Sequence, residues 1–232
     1  MSVHLGAVVV EAQDPTRVGR FWSALLACPT DEVDLGHGLV LDVVHRSHAE
    51  KTKNRLHLDL ASVSEEHQEA LVRRACALGG RPIDIGQGSV PWVVLADPEG
   101  NEFCVLEPRD EYRGSDRVAA VVTDVSDPAA VCRFWSEIIE YPVVRRYSEY
   151  SSLRCGSGPA LEFVRSPDMP PSQGRLHLRL DGMPDALRDS GLSQAGESCP
   201  ICGPPSLALT DPEGNHFCVA PGAGGLSGKS TP

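Results

Sequence analysis

An eight-residue motif occurs twice in this chain. Residues 97–104 read Asp-Pro-Glu-Gly-Asn-Glu-Phe-Cys, and residues 211–218 read Asp-Pro-Glu-Gly-Asn-His-Phe-Cys. Upstream of each copy lie an Asp-Pro pair, followed seven residues later by Phe-Trp, and an Arg-Leu-His-Leu string. The pairs that begin at Asp14 and Asp127 precede the two motifs by 83 and 84 residues. Because several separate features recur at matching spacing, the chain contains two homologous units in tandem.

The repeat sets the expected domain boundaries. We assign residues 1–110 and 118–222 to the two units and residues 111–117 to a polar linker. Residues 223–232 are rich in Gly and Ser, which predicts a disordered tail. Each unit is long enough to bury a core of its own.

Two βαβββ modules are predicted in each unit. Residues 3–12 are apolar and β-branched, as in a buried strand. Asp14 and Pro15 suit the N-cap and first turn of a helix that carries Phe21 and Trp22 on its inner face. Further predicted segments are a strand over 55–61, a helix over 64–78, closing strands over 82–85, 90–96 and 102–107, and a helix near 183–192 in the second unit.

The charge balance limits the partners of this protein. The formal net charge is −11, with 32 acidic residues against 21 Lys and Arg, and the basic residues are scattered. Nucleic acid is therefore a poor partner, whereas a neutral or cationic small molecule is favoured. No apolar run approaches the roughly 20 residues that span a bilayer, and the first residues lack the features of a secretory signal. We expect a cytoplasmic protein without a membrane partner.

Eight cysteines are present, and without a secretory signal we interpret them as free thiols. Cys199 and Cys202 form the single Cys-x-x-Cys pair, which could be half of a zinc site or a redox pair. No second such pair or His pair follows nearby, and Gly203, Pro204 and Pro205 do not begin a helix. The sequence therefore favours a structural or incidental loop role for the pair.

Together the repeated Asp-Pro-Glu-Gly-Asn turn, the Asp-Pro helix with Phe-Trp and the mid-unit His-containing strand resemble the glyoxalase/bleomycin-resistance/dioxygenase group, the vicinal oxygen chelate superfamily. The resemblance is closest to its glyoxalase-like subgroup and covers about residues 3–108 and 118–221. It implies an α+β fold of tandem glyoxalase-like domains, each with a concave mixed sheet and helices outside. The superfamily includes metal-dependent isomerases, transferases, dioxygenases and metal-free proteins that bind antibiotics.

The metal positions that the resemblance implies are mostly altered here. Ala7 and Ala120 stand where the family places the first-strand ligand, and Cys104 and Cys218 stand where it usually places Glu. The mid-unit position keeps a histidine in each unit, but one imidazole does not hold a divalent ion. We expect no cofactor and no stoichiometric metal. The alternative set of metal ligands would be His177, His216 and Cys218.

Strand alternation indicates which residues face a ligand. His57 and Asp59 share one face of their strand, as do Glu102 and Cys104, and Trp92 lies shortly before the closing turn. These five residues form the predicted ligand site, which we place in the first unit.

The second unit has a different set of residues at the matching places. Arg179 and His216 stand where the first unit has Asp59 and Glu102. If the protein is an enzyme, His57, Glu102 and His177 are the candidate catalytic residues, with a histidine as general base.

Three functions remain open from the sequence. The first is metal-free binding of a small molecule for sequestration, resistance or carriage. The second is a glyoxalase-like isomerase or lyase, with or without a non-standard metal site. The third is a non-catalytic interaction scaffold. In each case we expect the two units to pack as an intrachain pseudo-dimer, with the chain a monomer.

Overall fold

A computed structural model describes residues 3–28, 32–47, 52–115, 117–167, 174–184, 187 and 192–221. Its first half contains β1 (His4–Ala12), α1 (Pro15–Leu26), β2 (Val33–Gly36), β3 (Leu39–His45), β4 (Leu56–Leu60), α2 (Glu65–Ala77), β5 (Arg81–Pro82), β6 (Val93–Ala96) and β7 (Glu102–Val105). A short 3-10 helix (Asp110–Tyr112) follows. The second half contains β8 (Val118–Val125), α3 (Pro128–Ile139), β9 (Val143–Arg146), β10 (Tyr150–Leu153), β11 (Ala160–Arg165), β12 (Leu176–Asp181), β13 (Gln194–Gly196), β14 (Leu207–Thr210) and β15 (His216–Ala220).

The helices α1 and α3 begin in the same way. The side chain of Asp14 accepts a hydrogen bond from the backbone N–H of Arg17 at 3.0 Å, and Asp127 accepts one from Ala130 at 3.1 Å. A proline follows each aspartate, where its missing N–H costs nothing. The sequence prediction of both helix starts is confirmed.

The Phe-Trp pairs lie in the core, as predicted. The ring centroid of Trp22 is 5.0 Å from that of Phe103, and the centroid of Trp135 is 4.9 Å from that of Phe217. Both pairs meet edge to face, an arrangement that aromatic rings favour. The phenylalanine of each closing motif is thus the packing partner of the helix tryptophan in its own half, which accounts for the recurrence of both features.

Each of the two mixed sheets takes strands from both halves of the chain. The seven-stranded sheet has the order β13-β14-β15-β12-β1-β3-β2, and the eight-stranded sheet has the order β5-β6-β7-β4-β8-β11-β10-β9. The halves join where β1 pairs antiparallel with β12 and where β4 pairs antiparallel with β8. The order is the same in both sheets, except that β9 has no counterpart in the described part of the seven-stranded sheet.

Alternation along the strands separates a core face from a concave face. On β4, Leu56, Leu58 and Leu60 belong to the large hydrophobic cluster, which also contains residues of all three helices and of both sheets. His57 and Asp59 point to the opposite side of the eight-stranded sheet. The core therefore lies on the helix-bearing faces, and the concave faces are free to carry polar groups.

A glutamate of each closing turn binds the backbone at the start of α1 or α3. The Glu99 carboxylate accepts hydrogen bonds from the backbone N–H groups of Gln13 at 2.8 Å and Asp14 at 2.6 Å. Glu213 does the same for Ser126 and Asp127, at 2.7 Å each. The glutamate of each repeated motif therefore holds the entry to the first helix of its own half.

Two arginines tie each closing turn to the other half. Arg175 donates to the carbonyl oxygens of Glu99 at 3.0 Å and Gly100 at 2.9 Å. Arg55 donates to the side-chain oxygen of Asn215 at 2.8 Å and to a main-chain carbonyl of the same turn. These crossed contacts explain why the Arg-Leu-His-Leu string and the closing motif are repeated together.

The fold class is confirmed as α+β with two mixed sheets, and three segments differ from expectation. The strand predicted over 82–85 is reduced to Arg81–Pro82, and the one predicted over 90–96 begins at Val93, after Pro91. In the described residues, helix α1 of the first module is followed by two strands, β2 and β3, rather than the expected three. Most of the helix predicted over 183–192, and the tail over 223–232, lie outside the described residues. Within the described ranges, no helix combines the length and apolar character needed to cross a membrane.

Candidate functional site

The concave face of the eight-stranded sheet holds a cavity of about 310 Å³. Its floor is formed by adjacent strands: β4 contributes His57 and Asp59, β7 contributes Cys104, β8 contributes Val122 and β11 contributes Glu162. The rest of the lining consists of Gln87, Trp92, Leu106, Arg109, Glu111, Tyr112, Asp124, Glu149, Tyr150 and Val164. The volume is at the lower end of the range for small-molecule sites.

The cavity belongs to both halves of the chain and to the linker between them. Expecting it in the first unit was wrong, because β4 pairs with β8 and so places Glu162 and Tyr150 opposite His57. The segment expected to be a polar linker supplies Tyr112, which is buried at the end of the 3-10 helix. Four of the five predicted ligand-binding residues are brought together here: His57, Asp59, Trp92 and Cys104.

Glu102 is the predicted site residue that the structure does not place in the cavity. Its carboxylate accepts a hydrogen bond from the side-chain amide of Asn54 at 2.9 Å, and it does not line the cavity. Glu162 on β11 lines the cavity and was not predicted as a site residue. No sequence signal singled it out, because Glu162 lies on a strand that carries none of the repeated motifs.

Glu162 is a buried acid with a single hydroxyl partner. The Tyr112 hydroxyl donates to its Oε1 at 3.0 Å. Burial raises the pKa of Glu162 to about 7, and the hydrogen bond from Tyr112 offsets part of that rise. The carboxyl of Asp59 also contributes to the raised pKa. A group with this pKa gains and loses its proton near neutral pH.

Asp59 is the second acid on the cavity floor. Its Oδ1 lies 3.6 Å from Nε2 of His57, beyond hydrogen-bond distance, and this buried oxygen makes no hydrogen bond among the described residues. Burial raises the pKa of Asp59, and the nearby His57 opposes the rise. Burial and the neighbouring Asp59 in turn raise the pKa of the Cys104 thiol, which stays protonated.

An aromatic wall stands above this acidic floor. The guanidinium carbon of Arg109 lies 5.7 Å from the ring centroid of Trp92, whose indole N–H donates to Gln87 at 2.9 Å. Arg109 is itself paired with Glu107 at 2.6 Å. The lining therefore combines a fixed indole with several carboxyl groups, and its one guanidinium is already paired.

The concave face of the seven-stranded sheet carries ion pairs around Arg179. Asp42 on β3 is the counterpart of Glu162 on β11. Asp42 pairs with Val9 of β1, and Glu162 pairs with Val122 of β8, the corresponding strand of the other sheet. Arg179 forms an ion pair with Asp42 and lies 3.2 Å from Oδ1 of Asp181. Because Arg179 replaces Asp59 at this position, the acid of this sheet has a cationic partner that Glu162 lacks.

Beside Arg179 lies a compact group, which we call the thiol cluster: His177, Cys199, Cys202 and Cys218. Nε2 of His177 is 3.8, 3.5 and 3.5 Å from the Sγ atoms of Cys199, Cys202 and Cys218, in that order. The sequence interpretation that Cys199 and Cys202 have no further ligands nearby was wrong, because the other two residues come from β12 and β15.

Two predictions for the second unit change with this arrangement. His177, a candidate general base, is buried against three thiols and does not line the cavity. His216 is not part of the thiol cluster and instead lines a small crevice with Leu56 and Trp135. The alternative metal set of His177, His216 and Cys218 is therefore not brought together as a whole.

The divalent metal that the sequence resemblance implies does not fit the donor groups of this cavity. One donor atom from each of His57, Asp59 and Cys104 lies within 4.8 Å of the other two, but burial and Asp59 raise the pKa of the Cys104 thiol, which opposes the ionisation that a metal ligand requires. Beside His57 and Asp59, strand β8 has Val122 and Ala120, which cannot bind a metal. Asp124 of β8 is paired with Lys53, and Glu162 is bound to Tyr112. His57 and Asp59 are then the donors that remain available, whereas an open catalytic metal site uses three protein ligands. We derive no reaction step through a metal at this cavity.

The buried Glu162 makes stability depend on pH. Its folded pKa of about 7 exceeds the reference value of 4.5, so the folded state binds its proton more tightly than the unfolded chain does. This favourable contribution is complete below about pH 4.5 and is lost as the pH rises through about 7. Glu162→Gln keeps an acceptor for Tyr112 but cannot ionise. Relative to wild type, we expect it to gain roughly 3 kcal/mol of unfolding free energy between about pH 4.5 and pH 8.

Urea denaturation of both proteins at the two pH values measures this gain. Glu69→Gln is the control, because Glu69 is exposed on α2. A difference between Glu162→Gln and wild type that does not change with pH would contradict a raised pKa at Glu162.

Comparison with known proteins agrees with this geometry. The family described as "Glyoxalase-like domain" matches residues 7–106 and again residues 120–220. Glyoxalase I from Zea mays superposes with a TM-score of 0.62 and 14% identity, over 95% of this chain and 92% of that chain. A putative dioxygenase from Bacillus subtilis gives a TM-score of 0.59 and 10% identity, over 95% and 85%. A search of curated protein sequences found no match.

At these identities the two structures show a common fold, while the family match covers most of both halves. This chain therefore belongs to the glyoxalase-like domain family, with one family domain in each half.

Proposed function

We propose that the cavity of the eight-stranded sheet binds a small planar molecule that carries a cationic or hydrogen-bond-donating group, without a metal. The observation that carries the proposal is the pair of acids on the floor, the buried Glu162 and the partly buried Asp59. Oδ1 of Asp59 makes no hydrogen bond, and neither acid has an Arg or Lys partner among the described residues. Leaving a buried acceptor unpaired is costly, so a donor group of a ligand would be bound favourably there.

The aromatic wall supports a planar ligand. Trp92 is held by its bond to Gln87 and by Arg109, so its ring is fixed without a ligand. A ring that is already fixed loses little conformational entropy when a ligand stacks on it. An anionic ligand would meet several carboxyl groups, which is unfavourable in a partly desolvated cavity. Sequestration or carriage of such a molecule is the function that this lining supports best.

A second candidate function is proton transfer, as in an isomerase or lyase, and the raised pKa of Glu162 supports it. Glu162 and His57, a carboxyl and an imidazole group, flank Val122 on the cavity floor, and Glu162 exchanges its proton near neutral pH. Two such groups on opposite sides of a ligand suit proton transfer, as an isomerase or lyase requires. Exchange of ligand hydrogens with deuterated solvent, followed by NMR, would detect it. Glu162→Gln should abolish the exchange.

The binding proposal is tested with three matched probes. Benzamidine, benzamide and benzoate share a planar ring but carry a cationic, a neutral and an anionic group. We expect thermal-shift and calorimetric titrations to rank benzamidine first and benzoate last. Trp92→Ala and Asp59→Asn should each weaken benzamidine binding about fivefold or more, which corresponds to roughly 1 kcal/mol.

Arg179→Ala is the control, because Arg179 lies on the other sheet. It should leave the benzamidine affinity nearly unchanged. Preferential binding of benzoate, or a larger loss in Arg179→Ala than in Asp59→Asn, would place the site elsewhere and refute the proposal.

A further inference from the structure

We propose that the thiol cluster is a structural zinc site. Its four residues come from three parts of the chain: His177 from β12, Cys199 and Cys202 from the loop before β14, and Cys218 from β15. One nitrogen and three sulfur atoms from these residues all lie within 4.8 Å of one another. Three cysteines and one histidine are a common ligand set of structural zinc.

The distances within the thiol cluster fit a central ion. Zinc–sulfur and zinc–nitrogen bonds of about 2.3 and 2.0 Å in a tetrahedron separate sulfur from nitrogen by roughly 3.5 Å and sulfur from sulfur by roughly 3.8 Å. The observed Sγ to Nε2 distances are 3.5 to 3.8 Å, and the Sγ atoms of Cys202 and Cys218 are 3.5 Å apart. A disulfide would require about 2.05 Å between sulfur atoms, and the three cysteines of the cluster are all free.

The loop that carries Cys199 and Cys202 has a conformation suited to metal binding. The backbone N–H of Cys202 points at the Cys199 sulfur, at 3.4 Å, and the N–H of Gly203 donates to the Cys199 carbonyl at 2.9 Å. Ser206 closes the loop through its carbonyl, which accepts from the N–H of Cys199 at 3.2 Å. The N–H of Cys202 stabilises a Cys199 thiolate, because it places a positive dipole beside the negative sulfur.

Burial argues that the site is structural rather than catalytic. His177, Cys199 and Cys218 are buried, and Cys202 is partly buried. Four protein ligands fill a tetrahedral ion and leave no open position for substrate. Binding would release the protons of the three thiols and clamp the 199–206 loop onto β12 and β15. The two sheets would then differ in use, with a ligand cavity in one and a metal clamp in the other.

This proposal differs from the sequence-based expectation of a protein without metal. That expectation rested on the ligand positions of the family: His177 and Cys218 stand at two of them, and Cys199 and Cys202 are additional ligands outside that set. The zinc site does not depend on the proposed small-molecule binding, since none of its ligands lines the cavity.

The first test is elemental analysis of the full chain purified without chelators or affinity metals. We expect about one zinc per chain. Cys199→Ser, Cys218→Ser and His177→Ala should each lower zinc affinity at least ~10-fold, measured by competition with a chromogenic chelator. Cys76→Ser is the matched control, because Cys76 is exposed on α2, and it should keep its zinc.

The second test reports on the ligands directly, in case a variant folds poorly. Reduced apo protein titrated with Co²⁺ should develop the visible bands and the sulfur-to-cobalt charge-transfer band of a tetrahedral thiolate site, and Zn²⁺ should displace them. The proposal is overturned if wild-type protein binds neither Zn²⁺ nor Co²⁺, or if Cys199→Ser binds zinc as tightly as wild type. It is also overturned if denatured, unreduced protein shows two fewer reactive thiols than its eight cysteines, because that would indicate a disulfide.

Discussion

Replacing Asp97 by alanine is expected to lower the free energy of unfolding by about 4 kcal/mol. Asp97 is completely buried at the start of the closing turn. Its Oδ1 accepts hydrogen bonds from the backbone N–H groups of Glu99 at 2.8 Å and Asn101 at 2.9 Å, and its Oδ2 accepts one from the Asn101 side chain at 2.8 Å. Alanine would leave these donors unpaired in a site that water does not reach.

The loss should extend beyond the turn itself. Glu99 holds the backbone at the entry to α1, and the carbonyl oxygens of Glu99 and Gly100 accept from Arg175 of the other half. A turn that loses its internal bonds therefore also weakens the connection between the halves. Asp211→Ala should behave alike, because Asp211 makes the same bonds to Glu213 and Asn215.

Urea denaturation followed by circular dichroism measures the effect of Asp97→Ala. Asp110→Ala is the matched control, because the Asp110 side chain is 88% exposed and pairs only with exposed Arg113. It should cost less than about 0.5 kcal/mol. A loss in Asp97→Ala as small as that in Asp110→Ala would show that the repeated motif is not a determinant of stability.

Replacing Trp135 by alanine is expected to lower the free energy of unfolding by about 3 to 5 kcal/mol. The Trp135 side chain is among the largest that are fully buried. Its ring centroid lies 4.9 Å from that of Phe217 and 5.7 Å from that of Phe134, so truncation removes two aromatic contacts and leaves a cavity. Trp135 also forms a side-chain hydrogen bond with Asp211, which would lose a partner.

Three variants separate the parts of this effect. Trp135→Phe should cost less, since it keeps a ring in the core. Trp22→Ala removes the equivalent side chain of the first half, whose indole nitrogen has no hydrogen-bond partner among the described residues, and should cost less than Trp135→Ala. Val63→Ala, at an 82% exposed position, should be nearly neutral. A loss below about 1 kcal/mol in Trp135→Ala would contradict a closely packed core at this position.

The elements of this fold could be predicted because their signals are local. Asp14 and Asp127 lie directly before the helices that they cap, and the spacing of Phe21 and Trp22 places them on the inner face of a helix. The alternation along β4 likewise indicated that His57 and Asp59 share one face. Each of these features depends on residues within one or two turns, or within one strand, of each other.

The site was predicted only in part, because its residues meet through strand pairing. Glu162 and Tyr112 lie far from His57 in the sequence and on segments that carried no functional signal. The thiol cluster is a similar case, since Cys199 and Cys202 looked isolated until β12 and β15 placed His177 and Cys218 beside them.

The sequence alone determined that the chain consists of two related units, where most of its helices and strands lie, and which side chains of each strand share a face. Only the tertiary structure decided that β1 pairs with β12 and β4 with β8, so that each concave face is built from both halves. The physical reason is that strands pair through backbone N–H and C=O groups, which are the same in nearly every residue. Periodicity therefore identifies the buried face of a strand but not its neighbour, and the neighbour determines which acids, rings and thiols meet.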